Sequence, residues 1–297
     1  MENVDFLIKK YKNLPDSAGR YKVLVEIGTI ATPMEMVSLF DGMRRSEEAC
    51  QEHNKNWNEW LSFEKSLFYG IAKPSVEPFV RVPLTDRATL FTLPNGHGSR
   101  QNLVVAITGN ANRMMLPLHC FLQCFDALHT EIIMLDSRSL VEKGALDTAP
   151  SPSFFEAWVD DIAGHVADHG PYGHHAIMGT SFGALPALMA GIMLDFSNTL
   201  AVGPGSPYDR WWLDSGDFDP VEFLADRGRA HNTKISLAFG ADSPEDHVSA
   251  GEIKDLADLT ITNIAGADNT RIHHMCLHPL ALAGILPRFL QMQLGLN

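Results

Sequence analysis

The sequence predicts an α/β protein, a mostly parallel sheet with helices on both faces, preceded by an N-terminal helical arm. Three observations predict it. From about Arg87 onward, short apolar runs of strand length alternate with helical segments, and such spacing leaves room for crossovers between parallel strands. From Met1 to about Tyr69, apolar residues instead recur at helical spacing in a polar-rich background. Finally, Gly179-Thr-Ser-Phe-Gly183 sits where an apolar strand turns straight into an apolar helix.

In the arm, Pro33-Met-Glu-Met-Val-Ser-Leu-Phe40 and residues 57–68 carry the helical pattern. Their apolar residues, among them Leu39, Phe40, Trp57, Trp60, Leu61 and Phe68, need a surface to bury against. The expected division is 1–73, a helical arm packed on the main domain, and 74–297, the α/β domain. Trp57 and Trp60 read as core, with the lining of a pocket as the alternative. A connection marked by Pro74, Pro78 and Pro83 follows, and the pattern changes to strands. Strands are expected at 87–93 and 102–108, separated by the turn-rich 94–99. A helix at 116–128, a strand at 131–135 and a helix at 152–169 lead to the strand at 175–178. Beyond the glycine-flanked serine come a helix at 184–194 and a strand at 198–202. The remaining elements are a helix near 220–229, a strand at 234–239, a helix at 248–256, a strand at 259–264 and a last helix at 277–293.

Composition excludes several classes of function. The chain has 297 residues and a formal charge of −13, with no basic run, which argues against phosphate-neutralising binding to nucleic acid and against docking on an anionic membrane. The first ten residues lack the pattern of a signal peptide, and the most apolar stretch, 184–194, is too short for a bilayer. A soluble, cytoplasmic protein without membrane insertion is expected. Neither G-x-G-x-x-G after a strand nor G-x-x-x-x-G-K-[ST] occurs, so no nucleotide cofactor is expected. Cys50, Cys120, Cys124 and Cys276 form no C-x-x-C pair and read as buried thiols.

The strand–turn–helix context gives Gly179-Thr-Ser-Phe-Gly183 its chemistry. A serine on so sharp a turn sits in strained backbone, and the small neighbours let strand and helix approach. The helix N-terminus beside the hydroxyl favours developing negative charge. Serine still needs a base, and the base needs an orienting group. In open parallel sheets such groups collect at the carboxyl ends of strands. Two loops qualify: Gly240-Ala-Asp-Ser-Pro-Glu-Asp-His247 and Gly266-Ala-Asp-Asn-Thr-Arg-Ile-His-His274. The resulting chain order is Ser, acid, His.

With that motif and that order, residues 87–294 resemble the α/β-hydrolase superfamily. The resemblance implies Ser181 as nucleophile and the Phe182 N–H as one oxyanion donor. It puts the second donor in the loop Gly109-Asn-Ala-Asn112, at the Asn110 N–H, although Thr108 stands where the family often has His. It implies His274 as base, at the loop's end before the helix that carries Gly284, with His273 as the alternative; His278 reads as structural. Asp246 is the favoured acid and Asp242 the alternative, while Asp246 also has the position of a helix N-cap. His273, His274, Cys276 and His278 are a conceivable metal cluster, but they lack the separated ligand pairs of zinc sites, so no metal is expected. The run Asn110-Ala-Asn-Arg-Met-Met-Leu-Pro117 further resembles hydrolase-fold proteins of bacterial surface-polysaccharide pathways. The alternative for it is the start of a buried helix with Arg113 at the exposed edge. The resemblance thus implies a serine hydrolase that cleaves an ester of a small molecule or saccharide through an acyl-enzyme. An acyltransferase to a sugar hydroxyl and a non-catalytic scaffold are the alternatives.

Overall fold

Strands form where apolar residues run without a break, because the sheet is covered on both sides and each face needs its own apolar set. In the computed structural model Leu103, Val105 and Ile107 enter one buried cluster and Val104 and Ala106 the other, as alternation along a strand requires. The residues described are 4–14, 17–43, 55–71, 79–94, 101–109, 113–136, 152–209, 219–266 and 270–296.

Four helices come first: α1 (Val4–Asn13), α2 (Ser17–Ile30), α3 (Pro33–Met43) and α4 (Lys55–Gly70). Then follow β1 (Val80–Pro83), β2 (Ala88–Thr92), β3 (Asn102–Ile107), α5 (Leu118–Leu122) and β4 (Thr130–Leu135). The centre of the chain gives α6 (Pro152–His169), β5 (His174–Thr180), α7 (Ala184–Met193) and β6 (Asn198–Val202). The rest is α8 (Pro220–Arg227), β7 (Lys234–Gly240), α9 (Pro244–Leu256), β8 (Thr260–Ile264), α10 (Leu277–Leu282) and α11 (Leu286–Leu294). The sheet order is β1-β2-β4-β3-β5-β6-β7-β8; β2 is antiparallel to both its neighbours and every other pair is parallel. One face is covered by residues of α6, α7, α8 and α9, the other by α5, α10, α11 and the end of α4.

Four expectations change. The proline-marked connection contains a strand, β1, which lies at the sheet edge, where Pro83 costs no ladder hydrogen bond between central strands. The helix expected over 116–128 shrinks to Leu118–Leu122, since Met114–Leu116 are buried in bends and Pro117 is its N-cap. The helix expected from 248 starts at Pro244, with Ser243 as N-cap, so Asp246 lies inside the first turn and does not cap it. The last helix is two, broken where Gly284 takes φ +70° and Pro287 opens the second.

The N-terminal helices bury most of their apolar residues against one another. Leu7, Tyr11, Leu24, Ile27, Met36, Phe40, Trp60, Leu61 and Phe68 form a cluster of their own, with Trp57 packed between Tyr11 and Trp60. Leu67 and Ile71 leave that cluster for the core under the sheet. Arg81 on β1 donates to the Ile30 carbonyl and pairs with Glu35 at 3.7 Å, which ties the edge strand to the same helices.

Candidate active site

The turn after β5 holds its serine in the left-handed region: Ser181 has φ +51°, a conformation that costs a non-glycine residue free energy and persists only where packing enforces it. Packing does enforce it. A Cβ on Gly183 would lie 2.5 Å from the Thr108 carbonyl oxygen and 2.6 Å from that of Ile107, and one on Gly179 would run into Gly183 itself. Only glycine at both places lets β5, the turn Ser181–Gly183 and β3 meet. Phe182 is the middle residue of that turn, and α7 begins directly after it at Ala184.

Three side chains from three strand ends then meet. The Ser181 hydroxyl donates to His274 Nε2 at 2.9 Å. On the other side of the ring, Nδ1–H donates to Asp246 Oδ1 at 2.9 Å and Oδ2 at 3.1 Å. A carboxylate only accepts, so Asp246 fixes the proton on Nδ1 and leaves the Nε2 lone pair to the serine. Asp246 is 4 % exposed, whereas the His274 side chain is 41 % exposed, so the acid is sealed and the base is open. The Asp246 hydrogen bond holds His274 above the ordinary value of 6.5; burial opposes it, and the charges of Asp246 and Glu245 add to it.

The remaining sequence candidates fall into supporting places. Asp242 accepts from the Ile272 N–H at 2.9 Å through Oδ2 and donates its own N–H to the Ile272 carbonyl at 2.9 Å. It therefore staples the loop that presents His274. His273 turns away, donating from Nδ1 to the Asp242 carbonyl at 2.8 Å. His278 packs edge-on to Phe63, and burial holds its imidazole below the ordinary value. Burial also pushes the Cys276 thiol up to about 12, which makes it a poor nucleophile at neutral pH. The three histidines of the suggested metal cluster thus point to separate partners, and among the described residues no group of three or more His, Cys, Asp or Glu is placed to hold a metal. Asn110 lies outside the described residues.

One polar cluster was missed in the sequence. Arg113, placed at an exposed edge in the alternative reading of its run, is half-buried against α2, and Glu64 and His119 beside it are fully buried with Oε2 and Nε2 2.9 Å apart. A signal was available: Glu64 lies on the stripe Trp60, Leu61, Leu67, Phe68, the buried face of α4, where a charge requires a partner.

No family profile matches the sequence, and no curated protein matches it significantly. Solved structures do match in fold. Brefeldin A esterase, a bacterial homologue of human hormone sensitive lipase, superposes with a TM-score of 0.51 at 14% identity, over 79% of this chain and 85% of that one. The capsule O-acetyltransferase of Neisseria meningitidis serogroup A, in complex with CoA, gives 0.51 at 11%, over 72% and 94%. A truncated carbohydrate esterase from gut microbiota gives 0.50 at 12%, over 75% and 99%. Together with the strand order, these likenesses show that the chain has the α/β-hydrolase fold.

Proposed function

We propose that the protein is a serine hydrolase that cleaves an ester, on an acylated saccharide, through an acyl-enzyme formed at Ser181. The observation that carries this reading is the unbroken hydrogen-bond chain from a strained serine through His274 to a buried Asp246. In the first half-reaction His274 Nε2 takes the hydroxyl proton as Oγ attacks the ester carbonyl, and the imidazolium formed is stabilised by Asp246. The Phe182 and Asn110 N–H groups receive the oxyanion, with the α7 N-terminus adding its dipole. His274 then gives the proton to the leaving alkoxide, and the acyl-enzyme remains. Water, deprotonated by the same nitrogen, attacks the acyl carbonyl and releases the acid and free serine.

In this reading residues 74–297 carry the chemistry and residues 1–73 form the arm. Transfer of the acyl group to a sugar hydroxyl is the second reading, favoured by the likeness to a capsule O-acetyltransferase. It needs the same three side chains and differs only in the nucleophile of the second half-reaction. Labelling with a fluorophosphonate, then assay of an acyl-ester panel with and without sugar acceptors, tests both. Labelling at Ser181 with acid release alone supports hydrolysis; an acylated sugar product supports transfer; labelling that survives Ser181→Ala overturns both.

A further inference from the structure

We propose that Arg113 is a positioning residue, through which the N-terminal helices hold Gly109 and Thr180 beside the nucleophile; this rests on the reading of Ser181 given above. The backbone and the side chain of Arg113 face opposite partners. Its carbonyl accepts from the Gly109 N–H, just past the end of β3, at 2.8 Å. The same carbonyl accepts from Thr180 Oγ1 at 3.2 Å, and Thr180 is the residue before the serine. Gly109 lies so close to the turn that an added Cβ would sit 3.1 Å from Ser181 Cβ and 2.8 Å from the Thr180 carbonyl oxygen. One oxygen atom therefore bonds both Gly109, just past the end of β3, and Thr180, next to the serine.

The guanidinium of the same residue is fixed by another part of the chain. Nη2 donates to the Val25 carbonyl at 2.6 Å and Nε to Thr29 Oγ1 at 3.2 Å, both on α2. Glu64 of α4 supplies the countercharge and accepts from His119 Nε2 on α5 at 2.9 Å. At Gly28 of α2 a Cβ would lie 3.0 Å from Nη2 and 3.2 Å from Glu64 Oε1, so the missing side chain leaves the slot in which the two charges meet. A planar guanidinium with two directional bonds locks the side chain, and the locked side chain fixes where the carbonyl points. The arm thereby reaches the serine turn through Arg113, whose bonds run to Gly109 and Thr180 on one side and to α2 on the other.

The test uses the full chain and two readouts, steady-state hydrolysis of p-nitrophenyl acetate and the rate of fluorophosphonate labelling. Arg113→Met is expected to lower kcat about 10- to 100-fold, the loss expected when reacting groups shift by a fraction of an ångström to an ångström, with KM changed less than about twofold. Arg113→Lys should recover part of that loss, since an ammonium reaches Val25 but cannot also hold Thr29. Leu24→Ala, inside the arm's own cluster, should lower the melting temperature and leave kcat and labelling unchanged below it. If Arg113→Met does not fold, Thr29→Val removes the Nε contact, together with the Thr29 hydroxyl's own bond to the Val25 carbonyl, and should still cost kcat several-fold at constant KM, on the order of one lost hydrogen bond. Wild-type kcat in a folded Arg113→Met or Thr29→Val, or an equal kcat loss in Leu24→Ala, overturns the proposal and leaves Arg113 as a structural staple. A wild type that the probe does not label overturns the nucleophile reading first, so the two failures are distinct.

Discussion

Two three-part chains of nearly the same composition occur in this molecule. Ser181, His274 and Asp246 form one; Cys120, His119 and Glu64 form the other, with the Cys120 sulfur 3.4 Å from His119 Nδ1. In each, a ring nitrogen meets a carboxylate oxygen at 2.9 Å. Their surroundings differ. The His274 side chain is 41 % exposed and its partner hydroxyl sits on a strained turn, whereas the side chains of His119 and Glu64 are 0 % and 2 % exposed. Burial, then the nearby Glu64 charge and Cys124, drive the Cys120 thiol well above its ordinary value. The same nucleophile–His–carboxylate geometry thus occurs once open to solvent and once sealed in the core. Access, and a nucleophile held out of its relaxed conformation, separate a candidate site from a buried structural network.

The sharpest way to break this contrast is Ser181→Ala. Loss of about 10⁴- to 10⁶-fold in turnover and of all fluorophosphonate labelling is expected, with the melting curve retained. Labelling should leave Cys120 untouched in the folded wild type, which mass spectrometry of the probe adduct checks. Asp246→Asn comes next, at about 10³- to 10⁴-fold in kcat, because the amide orients the wrong tautomer. It should also move the pH profile. A base works only when neutral, so wild-type activity should rise with pH through a midpoint above 6.5. Removing the Asp246 charge and hydrogen bond, the main cause of the raised value, should shift that midpoint down in kcat/KM measurements.

The buried carboxylate–imidazole pair should show its largest effect in stability. Glu64→Ala leaves His119 and Arg113 without their partner inside the protein and should cost about 3 kcal/mol, read by denaturant unfolding. Asp242→Ala removes one acceptor from the His274 loop and should cost about 1 kcal/mol, with a kcat loss of only a few-fold. The smallest change is expected for His273→Ala, within about 0.5 kcal/mol in stability and about twofold in kcat, since the ring is exposed and only bonds a carbonyl. A large kcat loss there would move the base by one residue.

Local patterns made most of the sheet legible. The strand at 198–202 and the helix at 152–169 appear with the expected ends, because continuous apolar runs and a proline at the first helical position are signals that one segment carries alone. The serine turn was legible for the same reason: the strain at Ser181 and the crowding at Gly179 and Gly183 are consequences of five adjacent residues between a strand and a helix. The start of α9 was less so. Ser243-Pro244 is a good opening, but the polar residues that follow carry no apolar stripe, and the apolar pattern alone points to Val248.

Sequence by itself therefore determined the α/β class, the strained serine and the short set of acids and histidines at the strand ends. Tertiary structure decided which of them meet. Asp242 and Asp246 are four residues apart, the first in the loop after β7 and the second in the first turn of α9, and the sequence favoured Asp246 only by its resemblance. Asp242 is consumed by the Ile272 backbone, while Asp246, one helical turn on, turns inward to a ring that arrives from another strand. The same holds for Arg113, which is followed by apolar residues and whose partners, Val25, Thr29 and Glu64, lie 49 to 88 residues away. Side-chain pairing between distant segments depends on where the sheet order and the packing of the N-terminal helices bring them, a distance that no window of adjacent residues contains.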